Sequence, residues 1–499
     1  MDTALRPRLP ITESFESAYL EYWGILPLEL ADGRLRVAAA GEPAVEVLDD
    51  LVASYGAPVE LVPVSRDELV ESVRRMFSAA ESVVELVKDL ETEMGPTGAN
   101  DDGGTADARD LANQPPVIRL VNLLIRDAHD AQASDIHLEA THQGLRARFR
   151  IDGVLQDAPS PPRGLEHAVI SRIKLLAELD IAERRMPQDG RIRVRLDQRE
   201  LDLRVSTVPT LHGESVVLRL LDRGGRPVGL DELGMAPETL TGFRSLAERP
   251  HGILLATGPT GSGKTTTLYA ALGLRQRTAE KIITVEDPVE YHLDAVTQVP
   301  VHTKAGMTFA TALRSILRQD PDVLMIGEMR DAETAAIAVQ AALTGHLVFS
   351  TLHTNDAASA VTRLLDLKVE PYLVAGTIEA VLAQRLVRRI CSECKQEHQY
   401  SEEELKALGI PQAEAQKLTF YKGTGCDTCG SSGYKGRQGL YEVMALSSAL
   451  RRMVLKGGST EELREQAVKE GMLTLRMDGM LKVKRGITTL EEVVKETAA

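Results

Sequence analysis

The sequence is poor in aromatic residues, in positive charge and in long apolar runs. Aromatic residues make up 4% of the 499 residues, which argues against base stacking as the main task. The formal net charge at pH 7 is −15, so we expect no nucleic acid as a partner, because whole-surface binding needs the opposite sign. No apolar run approaches the roughly 18–20 residues that span a bilayer, and the N-terminus lacks the order of a signal peptide. We therefore expect a cytoplasmic protein with only peripheral membrane association.

Cysteine is scarce as well, and its four positions form two C-x-x-C pairs. Cys391 and Cys394 are separated by 31 residues from Cys426 and Cys429. In a reducing compartment such pairs indicate metal binding rather than disulfides. Four thiolates fill the tetrahedral shell of Zn²⁺ and leave no open position, so we predict a structural zinc site. An iron–sulfur cluster or a set of free thiols are the alternatives.

Composition and periodicity divide the chain into four parts. Residues 1–90 show a strand–helix–strand pattern without catalytic residues, which predicts a small α/β interaction domain. Residues 91–116 are rich in Gly, Pro and acidic residues, and such a segment buries too little apolar surface to fold, so we predict a flexible linker. Residues 117–229 begin with an amphipathic helix and continue in strands of period two, which indicates an α+β domain. Arginines crowd the polar face of these strands, and this face is either solvated or turned toward an anion.

Residues 230–499 alternate between apolar strands and helical stretches. This alternation predicts an α/β domain with a parallel, doubly wound sheet. Within it we expect a zinc-binding subdomain at residues 385–440 and C-terminal helices at residues 441–499. The predicted strands are Gly252–Ala256, Lys281–Val285, Val323–Ile326 and Leu347–Thr351.

A phosphate-binding loop is predicted at residues 258–265. Its sequence GPTGSGKT satisfies G-x-x-x-x-G-K-[ST], follows an apolar strand and precedes a helix, as this motif requires. Glycines let the backbone N–H groups turn toward a β-phosphate, and Lys264 can bridge the β and γ phosphates of ATP. The Thr265 hydroxyl can bind Mg²⁺. The predicted nucleotide-binding residues are Gly258, Pro259, Thr260, Gly261, Ser262, Gly263, Lys264 and Thr265.

A catalytic carboxylate is predicted at Glu328, which closely follows the apolar strand Val323–Ile326. A carboxylate in this place can orient and polarise the attacking water. Gly327 stands where many P-loop enzymes carry an Asp for Mg²⁺, so the metal shell is thinner or is completed by Glu286 or Asp287. The structural alternative is that these acidic residues merely end their strands.

Two histidines and two arginines are further candidates. His346 and His353 flank the strand Leu347–Thr351, and they either sense the γ-phosphate or serve the structure. Arg314 and Arg318 lie four residues apart on one face of a helix, where like charges cost roughly a few tenths of a kcal/mol unless an anion lies opposite. This cost favours a phosphate or carboxylate partner.

From about Val117 to Ala499 the chain resembles the secretion ATPase superfamily, and most closely its type II secretion (GspE) branch. Six blocks in order and the four cysteines carry the resemblance, whereas the first 90 residues match only loosely. The blocks are ASDIHLE (133–139), MPQDGR (186–191), GPTGSGKTTT (258–267), TVEDPVEY (284–291), RQDPDVLMIGEMRD (318–331) and TGHLVFSTLHTNDA (344–357).

The resemblance implies a fold, an activity and partners. The fold would be a RecA-like P-loop ATPase core, preceded by a PAS-like α+β domain and a small N-terminal adaptor domain. The activity would be ATP hydrolysis by a homo-hexameric ring at the bacterial inner membrane, which drives assembly of a pseudopilus that expels folded proteins. The N-terminal domain would dock on the cytoplasmic part of a GspL-like inner-membrane protein, and a GspF-like platform protein would be a further partner.

The resemblance also implies roles for single residues. Glu328 would be the catalytic glutamate, and Glu286 would belong to an acidic box. Arginines would neutralise charge on the transferred phosphoryl group, and those of the preceding domain would reach it only when the two domains dock, which couples hydrolysis to motion. The implied histidine box is His346 and His353, and the implied γ-phosphate contacts are Arg204, Arg219, Arg314 and Arg318.

Three other functions remain open. A type IV pilus assembly ATPase shares every catalytic block and the cysteines, whereas pilus retraction ATPases generally lack the cysteines. A nucleic-acid translocase on the same core is disfavoured by the acidic net charge, and stimulation by DNA would support it. The third function is a nucleotide-binding scaffold that does not hydrolyse ATP. It remains open because the sequence lacks part of the usual set of carboxylates that bind Mg²⁺.

Overall fold

The computed structural model describes ten segments of the chain, and within them no helix is long and apolar enough to cross a membrane. The predicted linker lies outside these segments up to residue 111. The described segments are 17–31, 34–41, 43–66, 68–70, 86–87, 112–196, 199–222, 228–275, 279–410 and 418–497.

The chain divides into two compact units, which are described separately. The first comprises Met1–Phe149, Leu155–Arg191 and Val205–Leu218. The second comprises Arg150–Val154, Ile192–Arg204 and Arg219–Ala499. The four domain boundaries expected from the sequence stay predictions.

A three-stranded sheet forms the N-terminal part. Strand β1 runs antiparallel to β2, and β2 runs parallel to β3 with α2 as the crossover between them. Leu35, Val37 and Leu51 are fully buried in its small core, so the predicted strand–helix–strand pattern is present. The elements are α1 (Ser17–Trp23), β1 (Ile25–Ala31), β2 (Arg34–Ala39), α2 (Val45–Tyr55) and β3 (Val59–Pro63).

A six-stranded sheet follows, in the order β6-β5-β4-β9-β8-β7. The predicted apolar stripe of its first helix is buried, and apolar residues alternate with polar ones along the strands. On the polar face Arg146 pairs with Asp157 and Arg148 pairs with Glu139, so acidic neighbours already neutralise part of the arginine-rich face. The elements are α3 (Pro115–Asp130), β4 (Ala133–Thr141), β5 (Gly144–Ile151), β6 (Val154–Asp157), α4 (Glu166–Leu176), β7 (Gln188–Leu196), β8 (Arg199–Thr210) and β9 (Gly213–Asp222).

A seven-stranded sheet carries the predicted phosphate loop, in the order β12-β11-β13-β14-β10-β15-β18. All neighbouring strands are parallel except β15 and β18, so the predicted parallel sheet is confirmed. Its elements are α5 (Pro237–Ala247), β10 (Gly252–Thr257), α6 (Lys264–Arg275), β11 (Ile282–Glu286), β12 (Thr297–Pro300), α7 (Phe309–Ile316), β13 (Val323–Ile326), α8 (Ala332–Leu343), β14 (Leu347–Leu352), α9 (Ala357–Asp366), α10 (Pro371–Thr377), β15 (Ile378–Ile390) and β18 (Tyr434–Ala445).

Helices cover both faces of this sheet, and each face has its own apolar core. Along β10, Ile253 and Leu255 belong to one core, whereas Leu254 and Ala256 belong to the other. Strands β10, β13 and β14 are buried along their whole length, as parallel strands between two helical layers must be. Each large side chain buried here contributes about 1.5–3 kcal/mol to the free energy of unfolding. This packing holds in place the strand ends that carry the polar residues.

The cysteine-bearing segment is inserted between β15 and β18. It contains a two-stranded antiparallel sheet, which was not predicted. The predicted C-terminal helices follow β18. The 12-residue strand β18 differs from the prediction, which places residues 434–440 in a zinc subdomain and residues 441–445 in the C-terminal helices. The remaining elements are β16 (Lys395–His398), α11 (Glu402–Ala407), β17 (Phe420–Gly423), α12 (Ser448–Leu455), α13 (Thr460–Lys469), α14 (Leu475–Lys484) and α15 (Leu490–Thr497).

Candidate nucleotide and metal sites

The phosphate loop lies at the C-terminal edge of the parallel sheet. It connects the end of β10 to the first residue of α6, so its backbone lies at a helix N-terminus, where anions are favoured. Gly258, Gly261 and Gly263 have φ values of 148°, 79° and 85°, which side chains rarely adopt. At Gly263 a Cβ atom would also lie 2.8 Å from the Gln384 Nε2 atom. The loop therefore needs its glycines for the reason that the motif predicts.

Lys264 is buried beneath this loop. Its Nζ atom donates to the Gly258 carbonyl at 2.8 Å and to the Pro259 carbonyl at 3.0 Å. Burial lowers its pKa to about 8; the Glu328 carboxylate opposes this shift and the Arg385 guanidinium adds to it. An ammonium that contacts only backbone carbonyls and lies in the field of a carboxylate can transfer its hydrogen bonds to a phosphate.

Glu328 reaches the same edge two residues after β13. Because β10, β13 and β14 are parallel, the groups that follow them meet at one edge of the sheet. The Glu328 carboxylate accepts from Arg330 at 2.6 Å and lies 3.4 Å from the His353 Nε2 atom. Arg330 was missed in the sequence, although it lies only two residues from Glu328. We call the edge formed by the phosphate loop, Glu328, Arg330 and His353 the catalytic edge.

The space around Gly327, where many P-loop enzymes carry an aspartate, is tight. A Cβ atom at Gly327 would lie 3.3 Å from the Val285 carbonyl and 3.4 Å from the Phe309 ring. The Gly327 N–H also donates to that carbonyl at 2.8 Å. A side chain at this position would therefore require the Val285 carbonyl or the Phe309 ring to shift by a few tenths of an ångström.

Glu286 lies at the end of β11 but is turned into the protein, with only 2% of its surface exposed. Its carboxylate accepts from the hydroxyls of Tyr269 and Thr284 and from the Gln298 side-chain amide at 3.1 Å. Burial and the Glu286 charge raise the pKa of Tyr269 well above its usual value, so this hydroxyl donates at neutral pH. Asp287, the other residue considered for Mg²⁺, is exposed.

Arg204 and Arg219 meet a different acidic residue of this segment. The Arg204 guanidinium lies 3.6 Å from the Glu290 carboxylate. Burial raises the pKa of Glu290, and the charges of Arg204 and Arg219 oppose that shift. The predicted arginines Arg204 and Arg219 therefore lie beside the acidic segment TVEDPVEY (284–291). They face its last acidic residue, Glu290, rather than Glu286.

Arg314 lies on the exposed surface of α7, and Arg318 is exposed just after the end of this helix. Arg314 pairs with Glu333 at 2.5 Å, and Arg318 donates to the Arg314 carbonyl at 2.6 Å. For Arg314 the anionic partner that the spacing suggested is thus a carboxylate in this chain, whereas the described partner of Arg318 is a backbone carbonyl. No described contact joins either arginine to the phosphate loop.

The two histidines lie at opposite ends of β14. His353 follows the strand and belongs to the catalytic edge, whereas His346 precedes it. The His346 Nδ1 atom lies 2.8 Å from the Ala341 carbonyl and 3.1 Å from the Thr344 hydroxyl, at the end of α8. The structure therefore does not bring His346 to the catalytic edge, and its contacts are those of a helix C-terminus.

Strand β15 supplies two polar residues next to the phosphate loop that the sequence analysis missed. The side-chain Oε1 atom of Gln384 accepts a hydrogen bond from the Thr267 hydroxyl at 2.7 Å. Arg385 is 9% exposed, and it donates to the backbone and side-chain oxygens of Asn355 at 3.1 Å each. Burial lowers the pKa of Arg385 from its ordinary value. These residues form the wall of the loop on the side away from Glu328.

The four cysteines converge into one cluster. Their sulfur atoms all lie within 4.8 Å of one another, and Cys391, Cys394 and Cys429 are buried. Backbone N–H groups of Cys426 and Gly433 point at the Cys429 sulfur at 3.2 and 3.3 Å. Burial alone opposes ionisation of this thiol, but these donors and the neighbouring thiols lower its pKa to about 6. Four converging sulfurs with backbone donors fit a tetrahedral zinc ion.

Comparison with known proteins decides the family. A family model described as "Type II/IV secretion system protein" matches residues 110–495, and an "MshEN domain" model matches residues 2–83. The chain belongs to the type II/IV secretion system protein family. The resemblance stated from the sequence blocks is thereby confirmed.

Curated relatives of this secretion ATPase include type II secretion proteins and type IV pilus assembly ATPases. Type II secretion system protein E of Xanthomonas campestris pv. campestris is 46% identical over 98% of this chain and 86% of its own length. Type IV pilus assembly ATPase PilB of Myxococcus xanthus is 44% identical over 95% of this chain and 84% of its own length. Type II secretion system ATPase E of Vibrio cholerae is 44% identical over 88% of this chain and 91% of its own length.

Solved structures share the fold. The pilus retraction motor PilT with bound ADP superposes with a TM-score of 0.52 at 25% identity, covering 75% of this chain and 96% of PilT. The ATPase DotB of Yersinia pseudotuberculosis gives a TM-score of 0.58 at 21% identity, covering 76% of this chain and 93% of DotB. The RecA-like architecture is thereby confirmed, and this family member is an ATP-hydrolysing secretion motor.

Proposed function

We propose that this secretion ATPase powers a type II secretion system by hydrolysing ATP at the catalytic edge. The observation that carries the proposal is the position of Glu328, whose carboxylate lies at the same sheet edge as Lys264 and influences its pKa. The similarity to the type II secretion system protein E of Xanthomonas campestris pv. campestris extends over 98% of this chain.

The residues of the catalytic edge suggest a division of labour. Lys264 and the loop N–H groups would hold the β and γ phosphates, and the Thr265 hydroxyl would hold Mg²⁺, which would supply neutralisation of phosphate charge. Glu328 orients the attacking water and accepts its proton. Arg330 and His353 fix the carboxylate until the water replaces one of these contacts.

The assembly and its surroundings are part of the proposal. We propose a homo-hexamer that is attached peripherally to the cytoplasmic face of the inner membrane. The N-terminal domain would bind a GspL-like protein, and a GspF-like protein would form the platform. Since Arg314 and Arg318 are exposed and their described contacts do not reach their own phosphate loop, a neighbouring subunit is where such arginines can meet a γ-phosphate. The cysteine cluster would hold one Zn²⁺ per chain.

A second candidate function is pilus assembly, which the 44% identity to a PilB protein favours. Complementation separates the two. The full chain and its Glu328→Gln variant are expressed in cells that lack a type II secretion ATPase and in cells that lack a pilus assembly ATPase. Restored exoprotein release in the first strain, absent with the variant, supports the proposal. Restored pili in the second strain alone would assign the chain to pilus assembly.

A further inference from the structure

A closed polar network surrounds Glu286, the acidic-box residue that the sequence suggested as a source of Mg²⁺ ligands. Its oxygens accept from three side chains: one oxygen from the Tyr269 hydroxyl, the other from the Thr284 hydroxyl and the Gln298 amide. A buried carboxylate is tolerated only when donors replace its lost hydration, and three donors meet that need. The carboxylate faces Tyr269 and Gln298, and its residue is 2% exposed.

Tyr269 joins this network to the phosphate loop. It lies in α6, the helix whose first residue is Lys264, and it is 2% exposed. Its ring packs edge-to-face against Tyr291, with 4.7 Å between the ring centroids. A displacement of α6 therefore cannot leave Glu286 and Tyr291 in place without breaking a hydrogen bond and an aromatic contact.

Gln298 closes the network from β12. Its Nε2 atom donates to Glu286 at 3.1 Å, to the Tyr291 carbonyl at 3.1 Å and to the Tyr269 hydroxyl at 3.3 Å. Its Oε1 atom accepts from the Leu293 N–H at 2.8 Å. The loop between β11 and β12 is thus held at several points, and Glu290, the partner of Arg204, lies in this loop.

We propose that Glu286 is a positioning residue, which links α6 through Tyr269 to the loop that carries Glu290, and that it is not a ligand of Mg²⁺. The network makes the phosphate loop and the arginine-facing loop move as one piece. Glu286 then acts on the reaction through Tyr269 and Gln298, without touching the phosphates. This inference rests on the proposed assignment of ATP hydrolysis to the catalytic edge.

The test compares Tyr269→Phe, Glu286→Gln and the double variant in the full chain. Steady-state hydrolysis is measured against ATP and against Mg²⁺, and bound nucleotide is counted so that rates refer to occupied sites. Tyr372→Phe and Glu461→Gln, both at exposed positions, are the matched controls and keep the wild-type rate. Tyr269→Phe removes one hydroxyl and keeps the packing, so it serves as the test even where Glu286→Gln does not fold.

We expect each single variant to lower kcat about 3- to 10-fold, the effect of one lost hydrogen bond, with KM for ATP within about twofold of wild type. The double variant should be no slower than the slower single variant, because both changes break one link. The Mg²⁺ concentration for half-maximal rate should stay within about twofold of wild type in all three, since none of the changes removes a ligand.

Other results overturn the proposal. A rise of about fivefold or more in the half-maximal Mg²⁺ concentration for Glu286→Gln, with Tyr269→Phe unchanged, would make Glu286 a metal ligand. If Tyr269→Phe keeps the wild-type kcat per occupied site and shows only a lower melting temperature, the network has a purely structural role. A wild-type rate for Glu328→Gln in the same assay would overturn the proposed function, and this inference with it.

Discussion

The catalytic edge and the cysteine cluster are both built from reactive side chains, but these side chains have different partners. Lys264 contacts two backbone carbonyls, and Glu328 contacts Arg330 and His353. A phosphate or a water can replace each of these partners. In the cluster, by contrast, the four sulfurs face one another, and backbone N–H groups point at Cys429. The first arrangement suits groups that change partners during a reaction, and the second suits a structural metal.

The largest effect that this comparison predicts concerns Glu328. Glu328→Gln should lower kcat about 10²- to 10⁴-fold, because the amide cannot accept a proton from the attacking water. ATP affinity should stay within about threefold of wild type, since Lys264 and the loop hold the phosphates. Steady-state phosphate release and equilibrium binding of a fluorescent ATP analogue measure the two quantities. Equal turnover by the variant and by the Glu461→Gln control would remove Glu328 from its role.

The second prediction concerns pH. Burial lowers the pKa of Lys264 to about 8, so its ammonium loses its proton and its attraction for phosphate as the pH rises through this value. We expect kcat/KM for ATP to be flat below about pH 8 and to fall about tenfold per pH unit above it. The alkaline fall of kcat itself should lie at higher pH, because bound phosphate stabilises the ammonium. A kcat/KM that stays flat to about pH 9.5 would contradict the assignment.

The third prediction tests whether the two regions are independent. Cys391→Ser should abolish stoichiometric zinc, measured on fresh protein by elemental analysis, and should lower the melting temperature of the C-terminal part. Nucleotide affinity should change less than about threefold, because β10 and β18 hold β15 at the phosphate loop from both sides. Ser392→Ala, at the exposed neighbouring position, is the control. Zinc-free wild-type protein would rule out the zinc site, and a large loss of affinity would show that the regions are coupled.

The smallest effect is expected at Arg314. Its ion pair with Glu333 is exposed on both sides, and such pairs contribute about 0–1 kcal/mol to the free energy of unfolding. Arg314→Gln should therefore leave both stability and ATP affinity of the dilute, unassembled chain near wild type. A tenfold loss of ATP affinity in that state would place Arg314 at the nucleotide of its own chain, contrary to the contacts described above.

The sequence was sufficient for the regions where short motifs and apolar runs coincide. The phosphate loop, the four predicted parallel strands and the convergence of the cysteines follow from fixed spacings and from burial between two helical layers. The position of His346 could also have been foreseen, because a residue that precedes a parallel strand lies at the edge opposite to one that follows it. That rule separates His346 from His353.

Other features depend on contacts between distant segments. The run IEAVLAQRLVRRI of β15 is nearly all buried, so it shows no period of two, and it is rich in helix-forming residues. Gln384 and Arg385 were missed for this reason. The inward orientation of Glu286 depends on Tyr269 and Gln298, which lie 17 and 12 residues away along the chain. Spacing within TVEDPVEY gives no sign of either partner.

The most direct test of the account is a crystal structure of the full chain with Mg²⁺ and a non-hydrolysable ATP analogue. We predict that the Lys264 Nζ atom leaves the carbonyls of Gly258 and Pro259 and lies about 3 Å from β- and γ-phosphate oxygens. The Glu328 carboxylate should face the γ-phosphate across one water, within about 6 Å. Phosphates bound away from the loop 258–265, or a γ-phosphate on the side away from Glu328, would contradict the account.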